Sequence, residues 1–317
     1  MNFLKKKKTI ALSFVSALTL AGCSLPGLSS GDSGEGITVA GVTSTEGLIL
    51  SYVVEGMVEH YMDDMDVQVI NNLGSSTVSH QALLNGDANI AGVKYTGTSL
   101  TGELGHEPIT DPEKALEVVV EGFQTEFDQT WFPSYGFANS YAFMVTQETA
   151  DEYGLETISD LEPYAQDMEA GVDNSWIERE GDGYDAFLET YGFDFNRVYP
   201  MQIGLVYDAL QAGEMDVILG YSTDGRIASY DLVVLEDDLK LFPPYDASPV
   251  ATNEVLENYP ELEGILLKLE GTISEEQMQT MNYEADNNLK EPQLVAQEFL
   301  EENNYFEDVS ISTNGGE

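Results

Sequence analysis

Cysteine is almost missing from this chain: Cys23 is the one instance in 317 residues. A single cysteine excludes an internal disulfide and any thiolate metal cluster. Histidine is nearly as scarce. His60, His80 and His106 stand far apart, with no partner at the spacing of a zinc site or of a Ser-His-Asp arrangement. No Walker loop and no dinucleotide fingerprint occurs. The acidic stretch Asp63-Asp64-Met65-Asp66 lacks the glycine and closing glutamate of a calcium loop and reads as a solvated turn. The expectation is therefore no enzyme, no cofactor and no bound metal.

Positive charge is the second shortage, with 12 Lys and Arg against 57 Asp and Glu and a net charge of −45. Four of the 12 are the lysines at 5–8, so the chain from Cys23 onward carries eight bases against 57 acids, a net −49. Such a surface repels nucleic acid and anionic lipid headgroups. The acids are spread along the whole chain, which suits a solvated surface in saline or alkaline surroundings better than a local funnel for cations. Long apolar runs are missing too. The longest, residues 9–20, is too short to span a bilayer, follows the lysines, and leads into Leu20-Ala21-Gly22-Cys23. Small residues before a cysteine at that place read as a bacterial lipobox. The expectation is a signal peptide over 1–22, lipidation at Cys23, and a Ser/Gly-rich tether over 23–36 with an r.m.s. span of about 20 Å. One acyl chain binds a membrane only marginally, so stable anchoring requires two or more. The chain reads as a protein held on the extracytoplasmic face of a bacterial membrane.

What is present is a phrase used twice. Ala82-Leu83-Leu84-Asn85-Gly86-Asp87-Ala88-Asn89-Ile90 leads to Tyr95-Thr96-Gly97, and Ala209-Leu210-Gln211-Ala212-Gly213-Glu214-Met215-Asp216-Val217 leads to Tyr221-Ser222-Thr223-Asp224-Gly225. Each copy is a helix end, a glycine stop, a short apolar strand, and a tyrosine where that strand finishes. Ligands of open α/β sheets bind beyond the carboxyl ends of the strands. Two such units predict two α/β lobes, each offering a tyrosine to a shared cleft, the outline of a solute-binding protein.

The intervening sequence supports this plan. Strands are expected over 37–41, 66–71 and 88–94. Between them come a helix capped at Ser44-Thr45-Glu46, with Leu50, Val53, Val54, Met57, Val58 and Tyr61 on one face, and a helix over 76–85. Pro112 opens another helix, with Leu116, Val119, Val120 and Phe123 inward. The alternation predicts a parallel sheet covered on both faces. A second alternation follows: a strand over 141–146, a short helix capped by Ser159, a strand over 170–172, a helix over 183–191 with Phe187 and Leu188 inside, an extended segment over 198–201, then the second repeat. After Pro243-Pro244 the pattern is helical over 253–258, 261–268, 274–287 and 291–303, and these helices are expected to return to the first lobe. Two crossovers, near 131–138 and 233–241, form a hinge of the kind that closes around ligands. The expected divisions are 37–133 and 237–310 for the first lobe, 134–236 for the second, and a frayed tail over 311–317.

Four tyrosines stand at informative places: Tyr95 and Tyr221 at the repeat strands, Tyr141 in Asn139-Ser140-Tyr141-Ala142, and Tyr245 in Phe242-Pro243-Pro244-Tyr245, where two prolines stiffen the approach. Four aromatic faces suit a quaternary ammonium, whose charge is spread over methyl groups unable to donate strong hydrogen bonds. At about 0.5–2 kcal/mol per face the cage supplies about 2–8 kcal/mol gross. Micromolar binding takes about 8 kcal/mol net, so polar contacts must contribute.

Taken in order, Thr45-Glu46, Tyr95-Thr96-Gly97-Thr98, Asn139-Ser140-Tyr141-Ala142, Gly220-Tyr221-Ser222-Thr223-Asp224-Gly225-Arg226 and Phe242-Pro243-Pro244-Tyr245 resemble the substrate-binding lipoproteins of osmoprotectant ABC importers, the glycine betaine, carnitine and choline binders. The resemblance covers residues 37–308. It implies a bilobal class II periplasmic-binding-protein-like fold, with two α/β lobes joined by two crossover strands. It also implies a cage with Tyr95 and Tyr245 from the first lobe and Tyr141 and Tyr221 from the second. Asn139 resembles the family's amide that meets the carboxylate or hydroxyl end of the ligand. Thr98 stands where threonine goes with broad acceptance of betaines and carnitine, and aspartate with choline-restricted binders. Where many relatives carry a glutamine in the first strand-to-helix loop, this chain has Val42 and Thr43, which leaves the Thr43 hydroxyl as the replacement contact. The implied partners are a membrane permease and an ATPase, with the protein itself a monomer. The readings held against this one are a binding protein for polyamines or another cation, and a surface lipoprotein outside transport.

Overall fold

Ser44 accepts a hydrogen bond from the backbone N–H of Gly47 at 3.2 Å and starts the first helix directly after the first strand. That strand-to-helix step recurs through the computed structural model, which describes residues 36–311 apart from 64, 178 and 180. The expected signal peptide, Cys23, all but the last residue of the tether, and the tail from 312 lie outside the described residues.

The first part of the chain runs β1 (Ile37–Val42), α1 (Thr45–Tyr61), β2 (Val67–Leu73), α2 (Ser76–Asn85), β3 (Ile90–Tyr95), α3 (Thr96–Gly102), α4 (Pro112–Glu126) and β4 (Gln129–Trp131). A second set follows: β5 (Tyr141–Thr146), α5 (Gln147–Tyr153), β6 (Glu169–Asp173), α6 (Asn174–Ile177), α7 (Tyr184–Tyr191), β7 (Arg197–Met201), α8 (Ile203–Gln211), β8 (Val217–Tyr221), α9 (Arg226–Ser229) and β9 (Leu232–Val234). The chain then returns through β10 (Ala247–Thr252), α10 (Asn253–Asn258), α11 (Glu261–Leu267), α12 (Glu275–Asp286) and α13 (Pro292–Glu302).

Two five-stranded sheets result, ordered β2-β1-β3-β10-β4 and β7-β6-β8-β5-β9. They share one pattern. Three parallel strands are followed by an antiparallel one, β10 beside β3 and β5 beside β8, with a further strand antiparallel to that. The sheets are thus mixed rather than purely parallel. β10 was not foreseen as a strand, because Pro249 interrupts its pattern. The ladder tolerates this proline at a register irregularity between Ser248 and Val250, where its missing N–H breaks no regular rung.

Apolar clusters cover both faces of both sheets. α1 lays Leu50, Val53, Val54, Met57 and Val58 on the first sheet, together with the returning helices α11 to α13. α2 and α4 cover its other face through Leu83, Val119 and Phe123. In the second lobe, Phe143, Trp176, Phe187 and Phe195 fill one side, and Val206, Tyr207 and Leu210 the other. On α4 the buried stripe is Ala115, Val119, Gly122 and Phe123, so Leu116 and Val120 face outward instead. Gly122 sits on that stripe because a Cβ there would lie 2.6 Å from the Leu104 side chain. Ser159 is not a cap either. Thr157 caps the 3₁₀ turn Ile158–Leu161 in a reciprocal pair with Asp160, and Ser159 donates to Asp238 at 2.6 Å.

The crossovers lie slightly later than expected. Phe132, Tyr135 and Phe137 belong to the first lobe's core, and Leu241 and Phe242 to the second's. The chain therefore changes lobes at 138–140 and 243–246. The two segments run side by side, with Ala138 bridged to Asp246 and the N–H of Asn139 donating to the carbonyl of Tyr245 at 3.1 Å.

Candidate functional site

The antiparallel strand in each sheet decides where the tyrosines go. Tyr95 ends β3 and is registered against Ala247 at the start of β10, two residues after Tyr245. Tyr221 ends β8 and is registered directly against Tyr141, the first residue of β5. The second sheet thus presents a pair of tyrosines at one end, and Tyr245, from the crossover just before β10, arrives beside Tyr95 at the end of the first. Tyr95, Thr98, Asn139, Tyr141, Tyr221 and Tyr245 line a single cavity of ≈ 210 Å³, joined by Arg179. The rings of Tyr141 and Tyr221 are 5.2 Å apart and tilted by 32°. The Arg179 guanidinium lies 5.6 Å from the centre of the Tyr141 ring and 5.8 Å from that of Tyr245.

Local chemistry holds each ring. The backbone of Tyr221 is clamped by Tyr207, whose hydroxyl receives the Tyr221 N–H at 2.7 Å and donates to its carbonyl at 3.2 Å. Gly220 permits this approach, since a Cβ there would sit 2.3 Å from that hydroxyl oxygen. Gly97 plays the same part for Tyr245: a Cβ would lie 2.9 Å from its ring and 2.8 Å from the Pro244 carbonyl. α3, which carries Thr98 in its first turn, is pinned at its far end by Glu103, which takes Lys94 at 2.9 Å and Ser76 at 2.8 Å.

Three of the four phenols donate to carboxylates outside the cavity lining. Tyr95 donates to Glu46 at 2.5 Å, Tyr141 to Asp173 at 3.2 Å, and Tyr245 to Asp182 at 2.8 Å. Asp182 also holds the Arg179 Nε–H at 2.5 Å, and Arg179 donates a second N–H to the Tyr245 hydroxyl. Burial, reinforced by the charge of Glu46, lifts the Tyr95 phenol well above its ordinary pKa. Burial likewise raises Tyr141, Tyr221 and Tyr245. Burial alone would lower Arg179, but Tyr245 and Asp182 outweigh it and the group is raised. The wall is therefore four neutral rings and one permanent cation.

Thr43 is not part of this wall. It is exposed at the β1–α1 turn, its N–H bonded to the carbonyl of Leu73, because the Ser44 cap turns the helix so that Glu46 faces inward in its place. The Asn139 amide nitrogen is engaged by Glu46 at 2.9 Å, and its Oδ1 is buried without a protein partner among the described residues. Arg179, Asp173 and Asp182 escaped sequence reasoning, and Glu46 was noted only as part of a motif. One signal was available for Arg179: it is among very few bases in the chain beyond Cys23, set between acids.

The lobes also touch beside the cavity. On α12, Gln279 donates to the Ser222 carbonyl at 2.8 Å and Asn282 to that of Thr223 at 2.9 Å, while Asn282 also reaches Glu46 at 3.2 Å. A larger groove of ≈ 610 Å³ between α12 and α13 is walled mostly by acids and amides, with Phe299 its one ring. Among the described residues no cluster of three metal-capable side chains occurs, and no helix is long and apolar enough to cross a membrane.

Two mixed α/β sheets joined by paired crossovers, with a cavity lined from both, define a bilobal binding protein of the periplasmic type. Residues 35–302 match the family described as the substrate binding domain of ABC-type glycine betaine transport systems, and the chain belongs to that family. The carnitine transport binding protein OpuCC of Listeria monocytogenes is 55% identical over 306 residues, covering 95% of this chain and 99% of that protein. A glycine-betaine-binding protein of Pseudomonas aeruginosa is 30% identical over 311 residues, 95% of this chain and 97% of its own length. A solved structure described as a glycine betaine/carnitine/choline ABC transporter superposes with a TM-score of 0.83 at 55% identity, covering 86% of this chain and all of that one. The chain is a substrate-binding transport protein and not an enzyme.

Proposed function

We propose that this chain is the extracytoplasmic solute-binding subunit of an osmoprotectant ABC importer, and that it captures glycine betaine, carnitine or a related betaine by closing its lobes on a tyrosine cage. The observation that carries this reading is the convergence of Tyr95 from the first sheet, Tyr141 and Tyr221 from the second, and Tyr245 from the crossover, with Arg179 on one cavity. The rings take the methylated ammonium through their faces. Arg179 takes the carboxylate, the role for which the loop glutamine of relatives has no counterpart here, and its planar fork suits that group. Asn139 offers an acceptor, Oδ1, which fits a ligand hydroxyl such as that of carnitine rather than an anion. Thr98 lines the same wall.

A polyamine fits less well. Primary ammonium groups seek carboxylate acceptors, and the carboxylates nearest the cavity, those of Glu46, Asp173 and Asp182, stand behind the rings, each already accepting a tyrosine hydroxyl. In this reading the protein works as a monomer, held to the outer face of the membrane by lipid on Cys23. It delivers its solute to a separate permease driven by a separate ATPase.

Calorimetric titration with glycine betaine, carnitine, choline and spermidine tests the assignment. Betaines are expected to bind, and Tyr221→Ala to weaken them at least about tenfold, the loss of roughly one to two aromatic contacts, with the fold intact. Tight spermidine binding with silence toward betaines overturns it.

A further inference from the structure

We propose that, of the three buried carboxylates behind the cage, those of Glu46, Asp173 and Asp182, the first two act as counter-charges that make it select the positive charge of a ligand rather than its methyl shape. The proposal rests on the cage reading above and assigns a role to residues that do not line the cavity.

The three carboxylates are almost fully buried, at 4%, 4% and 2% exposure, and they come from separate elements: α1, the end of β6, and the loop before α7. Each accepts the hydroxyl of a different cavity tyrosine. Among the described residues, only Asp182 has a cation as partner, Arg179. Glu46 is met among the described residues by neutral donors: Tyr95, Asn139 and Asn282. Asp173 is met by the hydroxyls of Tyr141 and Ser175. The contrast within the molecule is informative. Away from the cavity, buried Glu103 is matched directly by Lys94 at 2.9 Å. Burying a carboxylate without a counter-ion is costly, and two such carboxylates beside one cavity leave negative potential that a bound cation offsets. A phenol that donates to a carboxylate also carries more electron density, which strengthens the attraction of its ring face for positive charge. Both effects act on charge and neither on shape.

The test uses glycine betaine and 3,3-dimethylbutanoate, which has the same outline and the same carboxylate but a neutral tert-butyl group in place of trimethylammonium. Dissociation constants for both are measured on the full chain, on Glu46→Gln and on Asp173→Asn. Each amide can still accept from its tyrosine, so the rings stay oriented while the charge is removed. The wild type is expected to prefer glycine betaine, and each variant to narrow that preference at least about fivefold through weaker betaine binding, with the tert-butyl analogue, an anion, not weakened. The two substitutions lie in opposite lobes, so if one variant does not fold, the other decides. An unchanged preference in folded variants, or an equal loss of both ligands, overturns the proposal. A wild type that binds both ligands equally overturns it while leaving the cage in place. A wild type that binds neither removes the reading on which it rests.

Discussion

The hydroxyl of Tyr95 donates to Oε1 of Glu46 at 2.5 Å, and the same carboxylate receives the side-chain amides of Asn139 and Asn282. One buried acid at the start of α1 thereby ties together the cavity wall, a crossover segment and α12. Tyr95→Phe keeps the ring and removes one of three donors to a buried charge. It is expected to cost about 1–3 kcal/mol of stability, seen as a lower thermal midpoint, and to weaken glycine betaine several-fold without abolishing binding. A variant as stable as the wild type would show that the bond contributes nothing.

Arg179 is expected to separate ligands by their anionic end. Arg179→Gln is expected to weaken glycine betaine and carnitine by about 30-fold or more, the loss expected when one partner of a desolvated charge pair is truncated. Choline, which has no carboxylate, should lose much less. Equal losses for all three would argue that Arg179 only supports Tyr245 and Asp182.

Gly225 meets α12 across the lobe boundary. Its φ of −62° is open to any residue, so backbone strain is not at issue. A Cβ there would lie 2.5 Å from the N, Cα and Cβ of Tyr283. Gly225→Ala is therefore expected to prop the lobes apart, lowering affinity about tenfold by disfavouring the closed state. Ligand-induced compaction in small-angle scattering should shrink with it. Normal compaction and normal affinity in the variant would rule out the contact as a closure element.

His80 sets an acid limit on the first lobe. Burial, and then the charge of Lys94, lower its pKa from 6.5 to about 4, against a smaller opposing effect of Glu103. Neither ring nitrogen has a hydrogen-bond partner among the described residues, and the ring lies 4.4 Å from that of Phe127. Between pH 6.5 and about 4 the unfolded chain takes up a proton that the folded one refuses, so stability is complete above this window and lost as pH falls through it. His80→Leu should remove about 2–3 kcal/mol of that acid sensitivity, read as the difference between the urea unfolding energies of variant and wild type at pH 7 and pH 4.5. Parallel pH slopes would disprove the assignment.

Much of this architecture is legible locally. A capping serine, a glycine stop and an apolar run of strand length are decided by neighbouring residues, so α1, α2, β3 and β8 stand where the sequence places them. β10 was hidden because Pro249 argues against a strand on local grounds, and only pairing with β3 and β4 on either side overrides it. The outward turn of Leu116 and Val120 has the same origin: four apolar positions fit two helix faces, and the close approach of Leu104 to Gly122 selects one.

By itself the sequence determined that two αβ units each end in a tyrosine, since residue type and short spacing are enough for that. The tertiary structure alone decided which carboxylates stand behind those tyrosines and that Arg179 joins them. Glu46 and Asn282 are 236 residues apart, as Asp182 and Tyr245 are 63, and no periodicity records a hydrogen bond over such distances. The antiparallel strand in each sheet brings them together, by returning the chain to the edge where the parallel strands end.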